Sequence, residues 1–261
     1  MSADFHEQRP ERNPLIALDA LRSWILIEDD RLLVVNKPGD VVCHPSKNGP
    51  WSSLVGAARE YTGLPTVHLI FRLDRETSGV VVMAKDAAMA SRLQKALMNR
   101  LVKKRYFVIL DGELKAPVLV DQPLGKDVAS PVWTKDVVTQ VDSKSAKTLF
   151  TPLVAKNGFT VAEVRPETGR KHQIRAHAEW MGYRVVADKI YGPDSRHYID
   201  FVENGWNPRL AAALPLPRQA LHCAEIDMRP SGFDAVYQAP FPEDLRQFCR
   251  DRMEWDDFSS L

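Results

Sequence analysis

Short apolar runs of strand type alternate along the chain with stretches of helical spacing. Residues 25–27 and 32–35 are apolar and flank four polar positions, a pattern that predicts a β-hairpin. The continuous apolar run 79–84 predicts a buried strand. Apolar residues between 87 and 101 recur at helical intervals and predict an amphipathic helix.

The rest of the chain continues this alternation. The dipeptide Asn157-Gly158 separates two strand-like runs and predicts a tight hairpin turn. Gly182 follows a helical stretch and predicts its C-terminal end. The further predicted elements are a helix over 54–61, a strand over 106–110, strands over 148–153 and 159–164, a helix over 172–181, an irregular, proline-containing stretch over 192–217, strands over 221–228 and 235–239, and a helix over 243–252.

Strands outnumber helices in this pattern, and many of them are adjacent in sequence. This favours the α+β class, with a mixed, mostly antiparallel central sheet flanked by helices and loops. Residues 1–15 are polar and contain proline, so we expect a loose N-terminal arm. The sequence offers no convincing linker after it, and we expect a single domain over 16–261.

Composition narrows the class of protein. The chain has 261 residues, of which 44% are hydrophobic and 26% charged, as in ordinary globular proteins. It contains no apolar run of membrane-spanning length and does not begin with a signal-peptide pattern. Its three cysteines are widely spaced and match no disulfide or metal framework, so we expect a cytoplasmic protein without a metal. We also expect a monomer.

Charge is balanced overall but clustered locally. The net charge is +1, yet residues 87–110 carry six basic side chains and no acid, and residues 165–177 form a second basic cluster. Such clusters bind a polyanion in some proteins and are merely solvated faces in many others. Charge alone therefore leaves a nucleic-acid partner open.

The first candidate motif, residues 72–79, directly precedes the buried strand 79–84. A loop at the mouth of a buried strand combines a rigid base with accessible side chains. Asp74 lies between Arg72 and Arg75, cations that favour the ionised carboxylate a nucleophile needs. An exposed salt-bridge loop is the competing interpretation.

Two later motifs add an aromatic ring and a basic helix start. Lys104-Arg105-Tyr106 opens a strand, where the Tyr106 ring could stack on a nucleobase or its hydroxyl act in proton transfer. Residues 168–177 carry a glycine turn into a helix, which could present Arg170, Lys171 and backbone amides to phosphate. Taken alone, the first of these motifs also fits a tyrosine with a purely structural role, and the second also fits a solvated helix face.

Together, the types, order and spacing of these motifs resemble the RluA-type pseudouridine synthases. Residues 72–79 match that family's Arg-Leu-Asp-x-x-Thr-Ser-Gly signature, 104–106 its basic residue and tyrosine, and 168–177 its Thr-Gly-Arg-x-His-Gln-Ile-Arg-x-His motif. Shorter matches to the family sequence also occur in the same order, at 35–38, 44–45, Asp188, 191–192 and 221–222. The resemblance therefore extends from about residue 25 to about residue 245.

The resemblance implies the pseudouridine synthase fold and site-specific isomerisation of uridine in structured RNA, transfer or ribosomal, with base flipping and no cofactor. It implies that Asp74 is essential, either attacking C1′ or abstracting a proton, that Arg175 pairs with it, and that Tyr106 stacks on the uracil. The residues expected to contact RNA are Arg72, Lys103, Lys104, Arg170, Lys171 and His172. A further N-terminal RNA-binding domain is not evident, which tilts the expectation toward transfer RNA or a simple stem-loop.

One position departs from the family pattern. Phe71 stands where the family has a histidine before Arg-Leu-Asp, so the resemblance leaves the handling of the flipped base open while it retains Asp74. Other classes remain as alternatives: a glycoside hydrolase using Asp74 and Glu76, or an RNA-binding module with altered catalysis. A thiol hydrolase using Cys43 and His44 is disfavoured because strand neighbours face opposite sides.

Overall fold

A computed structural model describes residues 15–45, 52–259 and 261. The predicted loose arm over 1–15 falls almost entirely outside the described residues. Within them, helices are too short or too polar to cross a bilayer.

The elements are as follows. The helices are α1 (Leu18–Trp24), α2 (Leu54–Thr62), α3 (Ala87–Met98), α4 (Gln173–Trp180), α5 (Arg196–Asn204), α6 (Pro208–Ala213) and α7 (Glu243–Met253). The strands are β1 (Ile25–Glu28), β2 (Leu32–Lys37), β3 (His68–Leu69), β4 (Ser78–Ala84), β5 (Lys103–Asp111), β6 (Val118–Asp121), β7 (Leu124–Lys126), β8 (Asp136–Val138), β9 (Lys147–Lys156), β10 (Phe159–Pro166), β11 (Leu221–Asp227) and β12 (Val236–Gln238).

One large sheet organises the fold and confirms the predicted α+β class. Its strand order is β1-β2-β4-β11-β5-β10-β9-β6, with β12 beside β11 and β3 beside β4. The contact of β4 with β11 is parallel, and the other strand pairs described are antiparallel. Strands β7 and β8 form a separate hairpin that lies against α4.

Local sequence signals specify several elements correctly. The predicted hairpin near the start is formed by β1 and β2, and β4 is buried along its whole length. Asn157 and Gly158 have φ angles of 53° and 80°, the left-handed values that a two-residue turn between β9 and β10 requires. Helix α3 ends at Met98, three residues before the predicted limit of 101, because Arg100 turns to φ 58°.

The prediction of an irregular stretch over 192–217 is wrong, since this stretch forms α5 and α6. That prediction was based on the prolines of this stretch. Pro208, however, occupies the start of α6, where a backbone N–H would have no acceptor within the helix. The Asn207 side chain caps this helix by accepting from the backbone N–H groups of Arg209 and Leu210. Proline at this point therefore begins a helix.

The centre of the sheet brings together distant parts of the chain. Ser78 and Gly79 at the start of β4 lie beside His222 and Cys223 of β11, and Cys223 lies beside Tyr106 of β5. Val164, near the end of β10, also pairs with Tyr106. The loop before β4, the start of β5 and the loop after β10 consequently meet at one region of the sheet.

We predict that Gly79→Ala destabilises the protein strongly. Gly79 has a φ of +115°, and a Cβ atom there would lie 2.1 Å from the carbonyl oxygen of Cys223. Backbone strain and collision together should lower the free energy of unfolding by about 3 kcal/mol or more, measured by urea denaturation.

Gly63→Ala is the matched control for this substitution. Gly63 also has a positive φ, +67°, but within the described part of the chain no heavy atom lies within 4 Å of the place that an alanine methyl group would occupy. It should cost only about 1–2 kcal/mol of strain. Equal losses for the two variants would contradict the role of the β4–β11 contact.

Candidate active site

The loop that carries Asp74 is fixed from beneath by its backbone. The amide of Thr77 donates to the carbonyl of Asp74 over 3.1 Å, which closes a turn before β4. The Cys43 thiol lies 3.4 Å from the carbonyl oxygen of Leu73, so this cysteine is part of the loop's support. The thiol-hydrolase interpretation is therefore not favoured by the structure.

Lys37 anchors the same loop from the core. Its ammonium group is fully buried and donates to the carbonyl oxygens of Pro38, Val41 and Arg75, at 2.8, 2.9 and 3.0 Å. Burial lowers the pKa of Lys37 to about 8. Three carbonyl dipoles thus accept the protons of one lysine and tie β2 to the loop around Asp74.

Arg175 joins two carboxylates at the site. It lies on the first turn of α4, is 4% exposed, and donates from Nε and Nη2 to Asp188 over 2.6 and 2.8 Å. Its remaining nitrogen, Nη1, donates to Oδ2 of Asp74 over 2.8 Å. The fork to Asp188 fixes the plane of the guanidinium and thereby aims Nη1 at Asp74.

Asp188 is itself held by the backbone that follows it. Its Oδ1 accepts from the amides of Ile190 and Tyr191, each over 2.9 Å, and its side chain is completely buried. These bonds, with Arg175, keep the carboxylate ionised although burial opposes ionisation, and its pKa is lowered. Asp188 therefore has a fixed position and charge.

The charge state of Asp74 follows from its neighbours. Burial alone would raise its pKa, but positive neighbours outweigh that effect and the pKa is lowered. Burial, reinforced by the Arg175 charge, lowers the pKa of His172 to about 4, so this imidazole is neutral near pH 7. Arg175 is then the cation in direct contact that keeps Asp74 ionised.

His172 lies beside the carboxylate instead of on the outer surface. Its Nε2 atom is 3.9 Å from Oδ2 of Asp74, and its Nδ1 atom lies 3.2 Å from the hydroxyl of Tyr191. The residue adopts a φ of 55° as it starts α4. Its expected contact with RNA stays a prediction.

Tyr106 lies on β5 next to the same region. It is 7% exposed, and its hydroxyl lies beside the Cys223 side chain. Burial raises its pKa well above the usual value, and the Cys223 and Asp74 charges act in the same direction. The group is therefore a neutral phenol at pH 7, and its buried ring lies beneath the cavity surface, since Tyr106 is not among the described residues that line it.

An open cavity of about 320 Å³ lies over Asp74. Arg72, His172 and Arg175 line it together with Asp74. Three side chains of α5, those of Tyr198, Phe201 and Val202, line it as well. A nucleotide-sized ligand placed there would meet the carboxylate from one side and α5 from another.

The residues predicted to contact RNA differ in their surroundings. Arg72 and Lys103 are exposed. Nε of Arg170 donates to the carbonyl of Ser145 over 3.0 Å, and Lys171 lies 3.1 Å from a carboxylate oxygen of Asp136. Surface exposure leaves Arg72 and Lys103 accessible to a polyanion, whereas Lys171 is engaged by an acid of the protein.

Phe71 and Lys104 contact each other. The ammonium nitrogen of Lys104 lies 4.1 Å from the centroid of the Phe71 ring, and Phe71 is 7% exposed. Burial lowers the pKa of Lys104. The Phe71 ring, at the position that departs from the family pattern, therefore contacts the basic Lys104 side chain beside the motif loop of residues 72–79.

Glu76 is engaged elsewhere, which weighs against a catalytic pair with Asp74. Its carboxylate forms an ion pair with buried Lys189, and the amide of Gln219 donates to it over 3.3 Å. Lys189 also donates to the carbonyl of Pro217 over 2.7 Å. Glu76 thus ties three segments together.

Sequence reasoning gave Asp188 no role and missed α5. Asp188 was visible only as an isolated mark, because its partner Arg175 becomes a neighbour only in the folded chain. On α5, the spacing of Tyr198, Phe201 and Val202 is helical and could have indicated a helix with one apolar face.

Comparisons with known proteins identify the family and the fold of this chain. The family model described as RNA pseudouridylate synthase matches residues 31–180. The ribosomal large subunit pseudouridine synthase D of Nitrosomonas europaea is 31% identical over 87% of this chain and 64% of its own length. The protein of the same name from Vibrio vulnificus is 31% identical over 85% of this chain and 68% of its own length.

A solved structure shows the same fold. The structure described as human RNA pseudouridylate synthase domain containing 4 superimposes with a TM-score of 0.70 at 23% identity, covering 89% of this chain and 94% of that one. The family model and the bacterial relatives establish the family as well as the fold. The chain belongs to the RNA pseudouridine synthase family.

We predict that Arg175→Lys raises the pKa of Asp74. A single ammonium cannot span both carboxylates as the guanidinium does, so Asp74 loses a fixed charged hydrogen bond. Such a bond contributes about 1.5–3 kcal/mol, which corresponds to an upward shift of about one to two pH units. Because the wild-type pKa is lowered, the wild-type carboxylate should protonate only at lower pH than the variant.

Carbon-13 NMR titration of the aspartate carboxyl groups measures this shift, with Asp74→Asn assigning the resonance. Arg196→Lys is the control, since Arg196 pairs with Asp194 on the surface and should leave Asp74 unchanged. Circular dichroism checks that both variants fold. An Asp74 resonance that titrates identically in wild type and Arg175→Lys would contradict the assigned role of the guanidinium.

Proposed function

We propose that this protein isomerises uridine to pseudouridine at specific sites in structured RNA, with Asp74 as the essential carboxylate. The observation that carries the proposal is the Arg175 guanidinium, which Asp188 fixes from behind and which holds Asp74 ionised at the cavity. Family membership supports the same reaction.

The reaction needs a carboxylate and no change of redox state. The N1–C1′ bond of uridine breaks, the uracil rotates, and a C5–C1′ bond forms. The hydrogen on C5 leaves to solvent, and N1 gains a proton. Atoms and electrons balance without an oxidant or reductant, so we propose a reaction that requires no cofactor.

Asp74 acts at the sugar in this proposal. Its lowered pKa keeps it anionic, the form required either to attack C1′ or to take a proton from the sugar. Both routes place the negative charge beside C1′, where positive charge develops as the glycosidic bond breaks. Arg175 orients the carboxylate through Nη1 and leaves its second oxygen, Oδ1, for the nucleotide.

Tyr106 contributes its ring in this proposal. A buried phenol with a raised pKa keeps its proton at neutral pH, so stacking on the uracil is the role its state supports. Removal of the C5 proton by Tyr106 would require its own proton to pass on first.

Base flipping brings the nucleotide to the carboxylate. A stacked uridine does not reach a side chain inside a cavity, and its extrusion costs a few kcal/mol. Arg72 is exposed at the cavity and is proposed to fill the gap that the flipped base leaves. Phosphate contacts by Lys103, Lys104, Arg170 and Lys171 are proposed to offset the cost.

Transfer RNA and ribosomal RNA are both candidate substrates. Two bacterial relatives are named for the large ribosomal subunit, which makes ribosomal RNA a necessary arm of any test. The chain spans 64% of the Nitrosomonas europaea relative, so that protein's substrate is not transferred directly. We propose that the protein is cytoplasmic, which its three buried, unbridged cysteines support, and that it acts as a monomer.

We predict that wild-type protein releases tritium from RNA labelled at uridine C5 and that Asp74→Asn releases none above background. Asparagine keeps the shape of the side chain but not its charge. The RNA pools are transcripts of large and small ribosomal RNA and a transfer RNA mixture, each assayed with and without a metal chelator.

The controls separate the possible reaction classes. Asp19→Asn removes a carboxylate paired with Arg22 on α1 and should leave tritium release unchanged. Product analysis should find pseudouridine within the RNA, whereas a glycoside hydrolase would release free uracil. Activity of Asp74→Asn equal to wild type would sink the site assignment, and no release by wild type from any pool would sink the proposed function.

We predict that Lys103→Gln weakens RNA binding in a salt-dependent way. Lys103 is exposed at the start of β5, three residues before Tyr106, and is proposed to contact one phosphate. Loss of one such contact should reduce the slope of log affinity against log salt concentration by about one. Filter binding of the ribosomal RNA transcripts to the Asp74→Asn protein measures this slope.

Lys156→Gln is the matched control. Lys156 lies beside the β9–β10 turn and pairs with Glu254, at the opposite end of β10 from the Tyr106 partner Val164. Its loss should leave the slope unchanged. The proposed contact is contradicted if Lys103→Gln retains the wild-type slope.

A further inference from the structure

Helix α5 forms a wall of the cavity that the motifs do not account for. Its residues Tyr198, Phe201 and Val202 line the same cavity as Asp74 and His172. The spacing of three and four residues places the three side chains on one helical face. The motifs of the loop before β4 and of α4 supply other polar groups at the cavity, among them Asp74, His172 and Arg175.

The wall is attached to the loop that carries Asp74. The Arg75 guanidinium lies 5.2 Å from the centroid of the Phe201 ring, and the Lys189 ammonium lies 4.5 Å from it. Arg75 also pairs with Asp40 over 2.6 Å, and Lys189 pairs with Glu76. These cation–π contacts fix α5 against the motif loop before any ligand binds.

Tyr198 has a hydroxyl that the described protein does not use. It is half-buried and lines the cavity, and among the described residues no group hydrogen-bonds it. The charges of Arg175, Glu76 and Arg75 all act on it, which places it near the inner part of the site. Burial raises its pKa, so it is a neutral phenol able to donate.

A ligand that fills the cavity displaces solvent from this hydroxyl. The Tyr198 hydroxyl then loses its hydrogen bond to water unless the ligand supplies a hydrogen-bond partner. A nucleoside supplies acceptor oxygens on both sugar and uracil, beside an apolar ring face that suits Phe201. The chemistry of the wall thus matches a flipped uridine.

We infer that Tyr198 is a substrate-positioning residue whose hydroxyl donates a hydrogen bond to an oxygen of the flipped uridine. The inference rests on the proposed function and adds a contact that the motif residues do not provide. RNA affinity arises mainly from phosphate contacts outside the cavity, whereas this contact forms only with the flipped nucleotide. Its loss therefore acts on turnover more than on binding.

The test compares wild type with Tyr198→Phe, which removes the hydroxyl and keeps the ring. With the C5-tritiated RNA pool on which wild type is active, the single-turnover rate should fall about three- to tenfold, the effect of one neutral hydrogen bond. The dissociation constant for that RNA should change by less than about twofold, because phosphate contacts are retained. The melting temperature should not fall, because the hydroxyl makes no bond within the described protein.

Tyr61→Phe is the matched control. The Tyr61 hydroxyl donates to Glu28 over 2.8 Å, away from the cavity, so its loss should leave the rate unchanged. A Tyr198→Phe rate equal to wild type overturns the inference while leaving the proposed function intact. A drop in rate that merely parallels a drop in melting temperature overturns it as well, and inactivity of wild type on every pool removes the proposed function first.

Discussion

The site depends on one buried guanidinium shared by two carboxylates. Removing a charge from water is costly unless partners satisfy it, and Arg175 meets this requirement with Asp188 on one side and Asp74 on the other. The arrangement is directional, because the two bonds to Asp188 set the plane from which the remaining nitrogen reaches Asp74. Asp188 is completely buried, whereas the Asp74 side chain is 26% exposed. Asp188 therefore anchors the guanidinium, and Asp74 faces the cavity.

This pairing requires the sheet to bring three distant segments together. The parallel contact of β4 with β11 is the exception in a mostly antiparallel sheet, and it is where Gly79 passes closest to Cys223. Across the sheet, β11 lies next to β4, β5 next to β11, and β10 next to β5. The loop before β4 therefore comes to lie near the start of α4, which comes after β10 in the chain. Lys37 then fixes that loop through carbonyl oxygens and leaves the carboxylate of Asp74 free for Arg175.

Most elements could be predicted from the sequence because they rest on local patterns, whereas the pairing of Asp74 with Arg175 was expected only from the family resemblance. Hairpins, the buried strand β4 and the order of the motifs are visible in short windows. Partnerships across the chain are not. The engagement of Lys171 by Asp136, the contact of Lys104 with Phe71 and the place of His172 beside Asp74 depend on tertiary contacts. Helix α5 was missed because nearby prolines outweighed its helical spacing.

Burial also keeps the charges of Asp74, His172 and Tyr106 constant in the neutral range, whereas Lys37 beneath the loop has a pKa of about 8. His172 titrates at about 4, Asp74 is ionised, and Tyr106 keeps its proton, so none of these groups changes charge between roughly pH 5 and 8. Phe71 fits this pattern, since a phenylalanine at a position where the family has histidine removes a titratable group from the motif loop. Geometry and permanent cations, rather than protonation, therefore set the conditions under which a nucleotide meets Asp74.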